Sequence, residues 1–165
     1  MSTILVEPVI DLSVRGLCCR PYPGHPKGCP NFGRKPGCPP EAPTIDQLLD
    51  LNKPVFAVFN EFDLMGHVKR MRERHPGWSC RQLVCCLYWQ AGARKQLRAN
   101  LCTFLRAKSG SAWRIVMNPE GAGVNVTATM ESVGIMLEWP PRTSAYQVAF
   151  VGHAREQAAG QETLF

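Results

Sequence analysis

A mixed α/β or α+β domain, built on about four strands with helices packed against them, is the fold class that three observations predict. Short apolar, β-rich runs recur along the chain, and helix-capping signals lie between them. One stretch near the N-terminus is too dense in Pro and Gly for either element. The 165 residues are enough to bury about two thirds of the unfolded surface, so a single core-bearing domain is expected over 1–151. From Gly152 the chain turns small and polar, and 152–165 reads as a flexible tail.

Ile4 to Leu12 mixes apolar and β-branched residues around Pro8 and reads as a short edge strand or extended arm. A Cys/Pro/Gly-rich loop, 18–43, follows directly. Thr44 and Gln47 form a capping box for a short helix through Leu51, and Pro54 then introduces Val55–Phe62, an apolar run expected to be a buried strand. Asp63 caps a helix to about His75, where Pro76-Gly77 breaks it. Ser79 with Gln82 forms a second capping box and predicts one long helix to about Lys108, with Leu83, Leu87, Leu97, Leu101 and Leu105 on one face. Past Ser109-Gly110, Ala112–Met117 reads as a strand, Asn118–Gly123 as a turn and Val124–Val133 as a short helix. Ile135–Trp139 and Tyr146–Val151 read as two more strands joined through Pro140-Pro141.

The loop carries the chemistry. Gly24-His25-Pro26-Lys27-Gly28-Cys29-Pro30 is echoed by Gly33-Arg34-Lys35-Pro36-Gly37-Cys38-Pro39, so two thiols are presented in the same local setting. Glycine lets the backbone come close to each sulfur, and proline stiffens the exit. Cys19 is the third thiol. Between Arg15 and Cys38 lie Arg15, Arg20, Lys27, Arg34 and Lys35 and no acid, surroundings that favour the thiolate a metal requires. Zinc sites favour close cysteine pairs, whereas nine and eight residues separate Cys19, Cys29 and Cys38. Iron–sulfur clusters accept wider loops, and their cysteines are often followed by Pro. A [4Fe–4S] cluster is therefore preferred and zinc is the alternative. A fourth ligand would come from Cys18, His25, Cys85 or Cys86, the last two because a helix start would stabilise a thiolate. Cys80 and Cys102 read as small buried hydrophobes, and His67, His75 and His153 as surface or capping residues.

Charge is uneven. From Leu64 to Pro119 Glu73 is the only acid against eleven Lys and Arg, which suits an anionic partner such as nucleic acid or a phosphorylated substrate. Lys69, Arg70, Arg94, Lys95 and Arg98 are the candidate anion-binding residues. A merely solvated helix surface would have the same composition. The N-terminal residues lack a basic, apolar leader pattern, and nowhere do about eighteen uncharged apolar residues run together, so neither export nor membrane insertion is expected. A cytoplasmic location follows, where cysteines serve metals or catalysis before disulfides.

Cys29-Pro-Asn-Phe-Gly, Cys38-Pro-Pro and Pro43-Thr44 resemble a family of bacterial and archaeal predicted metal-binding proteins with the signature Cys-Pro-x-Tyr/Phe-Gly followed by Cys-Pro-Pro. Thr129-Met130-Glu131-Ser132-Val133-Gly134-Ile135 looks like that family's Ser-Met-Glu-Ala-x-Gly-Ile segment. The resemblance implies metal binding, of iron–sulfur type, through Cys29 and Cys38, and implies no settled reaction. Many members carry a further ferredoxin-like cysteine cluster, and this chain has no cysteine between Thr103 and Phe165. Gln161-Glu162-Thr163-Leu164-Phe165 resembles the short peptide by which bacterial DNA-metabolism proteins dock on the replication sliding clamp, with Gln161, Leu164 and Phe165 as its anchors.

Three function classes remain open on the sequence. One is an iron–sulfur protein working beside nucleic acid. Another is a non-enzymatic module that zinc or a closed cluster merely stiffens. The third is a small-molecule enzyme with an anionic substrate.

Overall fold

Two long strands form the middle of the sheet, and their alternation decides which side chain faces which layer. The computed structural model describes residues 2–22, 25–35, 37–108, 110 and 112–156. Strands β1 (Ser2–Val6), β2 (Val55–Asp63), β3 (Trp113–Val116) and β4 (Ser144–His153) form one antiparallel sheet in the order β1-β2-β4-β3. Phe56 pairs with Val151 and Asp63 with Ser144 across the inner pair. Val55, Ala57 and Phe150 point to one face, and Val58, Ala149 and Val151 to the other. A strand covered on both faces is apolar at nearly every position, which is why 55–59 reads as an unbroken apolar run.

Among the described residues five α-helices accompany the sheet: α1 (Ile45–Leu48), α2 (Leu64–Arg74), α3 (Cys80–Leu83), α4 (Gln90–Arg106) and α5 (Val126–Glu131). Helix α4 lays Leu97, Leu101 and Phe104, spaced four and three residues apart, on Val58, Ala149 and Val151. On the opposite face Ile45 and Leu49 at α1, Met130 of α5 and Val124 fill the other core. The caps form as the sequence indicates: Gln47 accepts the Thr44 amide at 2.9 Å, Asp63 accepts Gly66 at 2.8 Å, and Gln82 accepts Ser79 at 2.9 Å.

The structure corrects the sequence reading in four places. The N-terminal strand ends at Val6, before Pro8, and Leu12–Cys19 is a 3₁₀ helix capped by Asp11, whose carboxylate accepts the Ser13 amide at 3.0 Å. The expected long helix is divided: α3 ends at Leu83, Cys85 is extended, Cys86–Tyr88 forms a 3₁₀ turn, and only then does α4 begin. The Trp89 indole N–H donates to the Val84 carbonyl at 3.3 Å, and the Trp89 ring stacks on Phe62 at 4.9 Å. These contacts hold Trp89 across the break and take up a carbonyl that a continuous helix would have used. Leu87 consequently sits exposed rather than on the apolar face of α4.

Ile135–Trp139 is not a strand. Ile135 and Leu137 do turn inward onto the core, but β4 already has β2 on one edge and β3 on the other, so no adjacent edge is free to pair. Finally, β4 runs beyond Val151 through His153, Ala154 bridges to Leu49, and Arg155 donates to the Asp46 carbonyl at 2.6 Å. The clamp-like anchors Gln161, Leu164 and Phe165 lie outside the described residues. Among the described residues no helix is long and apolar enough to cross a membrane.

Candidate metal centre

Gly28 and Gly37, each directly before a cysteine, have φ of +81° and +78°. The two halves of the sequence repeat therefore share a left-handed step that L side chains rarely adopt. Gly28 is doubly constrained: a Cβ there would lie 2.7 Å from the Cys18 carbonyl oxygen and 2.9 Å from that of Cys19. This close approach lets the Cys29 amide donate to the Cys18 carbonyl at 2.7 Å. The 3₁₀ helix thus delivers Cys18 and Cys19 against the first repeat. Arg15 on the same helix donates to the carbonyls of Pro40 and Ala42, each at 2.7 Å, and so ties the far end of the loop to its beginning.

Cys18, Cys19 and Cys29 line a cavity of about 490 Å³, with His25, Lys27, Phe32 and Arg34 also on its walls. Desolvation pushes the Cys18 thiol up, and the nearby charges of Cys29, Cys38, Glu120 and Cys19 push it the same way. Cys38 is absent from the cavity lining, yet its thiol lies within electrostatic reach of Cys18. Sequence reasoning left Cys18 as one of several accessory ligands, whereas the fold sets it on the cavity wall beside Cys19 and Cys29. The signal was its adjacency to Cys19 at the end of a 3₁₀ helix, an element that the sequence reading did not foresee.

Tyr22 lines a neighbouring cavity that shares Pro26 with the first. Its ring lies 4.8 Å from that of His25, in a small hairpin where each backbone amide donates to the other's carbonyl, at 3.2 and 2.8 Å. Burial, with the thiols of Cys29 and Cys86, pushes its phenol up to about 12 while Arg94 pulls it down, so the hydroxyl keeps its proton at neutral pH. His25 is a cavity wall residue. Glu120 was not anticipated at all. It follows the fully buried Pro119, and desolvation raises its carboxyl above the ordinary carboxylate range.

Other candidates are dispersed. Cys85 and Cys86 open only a three-residue 3₁₀ turn instead of the long α-helix expected, and burial pushes the Cys86 thiol up rather than down. Cys80 and Cys102 are exposed, not buried hydrophobes, and no disulfide joins any of the eight cysteines among the described residues. His67 is buried, 6% exposed, with its Nε2 unpartnered among the described residues; it lies against Phe62 rather than on the surface. Among the described residues no three His, Cys, Asp or Glu side chains are close enough together to hold a single metal ion.

Lys69, Arg70, Arg94, Lys95 and Arg98 are all exposed. Arg70 approaches Asp63 at 3.9 Å, and apart from Lys53–Asp50 this is the only ion pair among the described residues. The basic segment is therefore largely uncompensated by local carboxylates. Arg94 alone of the five acts on the thiol side, through Tyr22 and Cys86. The others are spread over α2 and α4.

No family model matches the chain, and no curated protein or solved structure is detectably similar to it.

Proposed function

We propose that this is an iron–sulfur protein that holds a [4Fe–4S] cluster through Cys18, Cys29 and Cys38, with Cys19 as the exposed fourth ligand, and works beside nucleic acid. One observation carries the reading: Cys18, Cys19 and Cys29 line one cavity, with the Cys29 amide bonded to the Cys18 carbonyl at 2.7 Å. Size supports a cluster over zinc. A zinc ion with 2.3 Å bonds to sulfur fills a sphere of about 50 Å³, a small part of a cavity of about 490 Å³.

When bound, the cluster supplies one-electron chemistry, or a Lewis-acidic iron where its exposed thiolate is displaced. The chain's own residues do the rest. Gly28 lets the backbone of Cys29 close on Cys18. Lys27 and Arg34 place positive charge on the cavity wall, where it would offset the negative charge of a thiolate-ligated cluster. Phe32 covers part of the same wall and limits water.

Anaerobic purification followed by iron, sulfide and zinc analysis with absorption and EPR spectra tests the proposal. About four irons and four sulfides per chain are expected. Stoichiometric zinc without iron would refute it.

A further inference from the structure

The turn between α2 and α3 sets Trp78 on His75, and the division between α3 and α4 brings Tyr88 onto Trp78. Trp78 stacks on His75 at 4.1 Å with planes 9° apart, and meets Tyr88 at 4.6 Å. His75 is exposed and Tyr88 is 52% exposed, next to the exposed Leu87. His75 and Tyr88 flank the half-buried Trp78 and leave their own rings in water, and contiguous exposed ring surface of this kind marks an interaction site. Arg72 and Arg74 end the helix before His75, and Arg81 follows Trp78 on α3. Arg72 reaches the Cys80 sulfur at 3.8 Å and so links α2 to α3. Glu73 is the one opposing charge in this segment. Arg81 also lines a second cavity, about 370 Å³, with Tyr22, Val84 and Pro26. Pro26 belongs to the wall of the thiol cavity as well, so the basic aromatic surface runs up to the cysteine loop.

We propose that His75, Trp78 and Tyr88 form a stacking platform for unpaired bases of single-stranded nucleic acid, with Arg72, Arg74 and Arg81 holding its phosphates. It rests on the nucleic-acid part of the reading above and does not depend on the cluster. A duplex hides its base faces in its own stack, so exposed ring faces beside cations select single strands, and they do so with little sequence preference. The strand would lead across Arg81 and Tyr22 towards the thiol cavity.

The test is fluorescence anisotropy of the full-length holoprotein with labelled oligothymidylate, oligouridylate and a duplex of equal length, over a series of salt concentrations, with iron measured in each sample. Both single strands are expected to bind more tightly than the duplex, and the DNA and RNA arms show which backbone is preferred. Tyr88→Ala and His75→Ala, both at exposed positions, should each weaken single-strand binding about tenfold while leaving the salt dependence unchanged. Arg81→Gln should lower the slope of log affinity against log salt by about 0.7. Trp139→Ala, at an equally exposed tryptophan outside the basic segment, should change neither. Duplex binding as tight as single-strand binding, or wild-type affinity in both ring variants, overturns the platform while leaving nucleic-acid binding in place. Absence of binding at low salt overturns both, and single-strand binding without iron removes only the cluster.

Discussion

The amide of Cys29 donates to the carbonyl of Cys18 at 2.7 Å, and this one backbone bond joins the end of the 3₁₀ helix to the first repeat of the cysteine loop. Thiols eleven positions apart in sequence are brought to one cavity by it.

Gly28→Ala should break that junction. The added Cβ meets the Cys18 carbonyl oxygen at 2.7 Å, at a φ of +81°, so a loss of about 1–3 kcal/mol is expected from strain alone. Gly37→Ala suffers the same positive φ but finds open space, and should lose less. Urea melts and iron content of the two variants check the ranking; equal loss in both would contradict the clash.

Cys18→Ser, Cys29→Ser and Cys38→Ser should each abolish the iron–sulfur absorption of anaerobically purified protein. Cys102→Ser, at an exposed position on α4, should leave it unchanged. Iron retained at full stoichiometry in Cys18→Ser would remove that residue from the ligand set.

Arg15→Lys keeps a charge but not the planar guanidinium whose one terminal nitrogen, Nη2, reaches both carbonyls. A loss of about 1–3 kcal/mol is expected, since hydrogen bonds to charged groups are each of that order. Thermal melts compared with Arg15→Ala test it, and a lysine variant as stable as wild type would show that charge alone suffices.

His67 gives the fold an acid sensitivity. Burial first, and then the neighbouring Arg70, lowers its pKa below the ordinary 6.5. The unfolded chain therefore takes up a proton more readily than the folded one, and His67 makes stability fall as pH drops below about 6.5. His67→Leu should flatten the stability profile between that pH and the lower folded value. An unchanged slope in urea melts would contradict this.

Glu120 works in the opposite sense. Desolvation raises its pKa above 4.5, so the folded chain holds the proton more tightly and stability declines as pH rises from about 4.5 through the folded value. Glu120→Gln should remove that decline, read from urea melts at a series of pH values, and it should be at least as stable as wild type at neutral pH.

Much of the fold was legible because its signals are local. The caps at Thr44, Asp63 and Ser79 and the period-two burial of β2 involve residues a few positions apart. The split between α3 and α4 was not legible. It depends on Trp89 meeting Phe62, twenty-seven positions away, and no helical periodicity records that contact. The same holds at the site. The glycine-cysteine repeat exposed Cys29 and Cys38, whereas the roles of Cys18 and Glu120 come from a turn, 118–124, that packs under the loop only after folding, with Asp11 donating to Gly123 and Ile45 to Ala122, both at 2.9 Å. Thr129, in the segment that resembles the metal-binding family, is fully buried and accepts the Val9 amide at 2.9 Å. Here its task is to anchor the N-terminal arm.

Because one guanidinium grips the carbonyls of Pro40 and Ala42 from the helix that also carries Cys18, the cysteine-rich segment is drawn shut at its neck like a purse. Loosening that neck should therefore disturb the whole segment between Cys18 and Ala42 at once rather than one cysteine at a time.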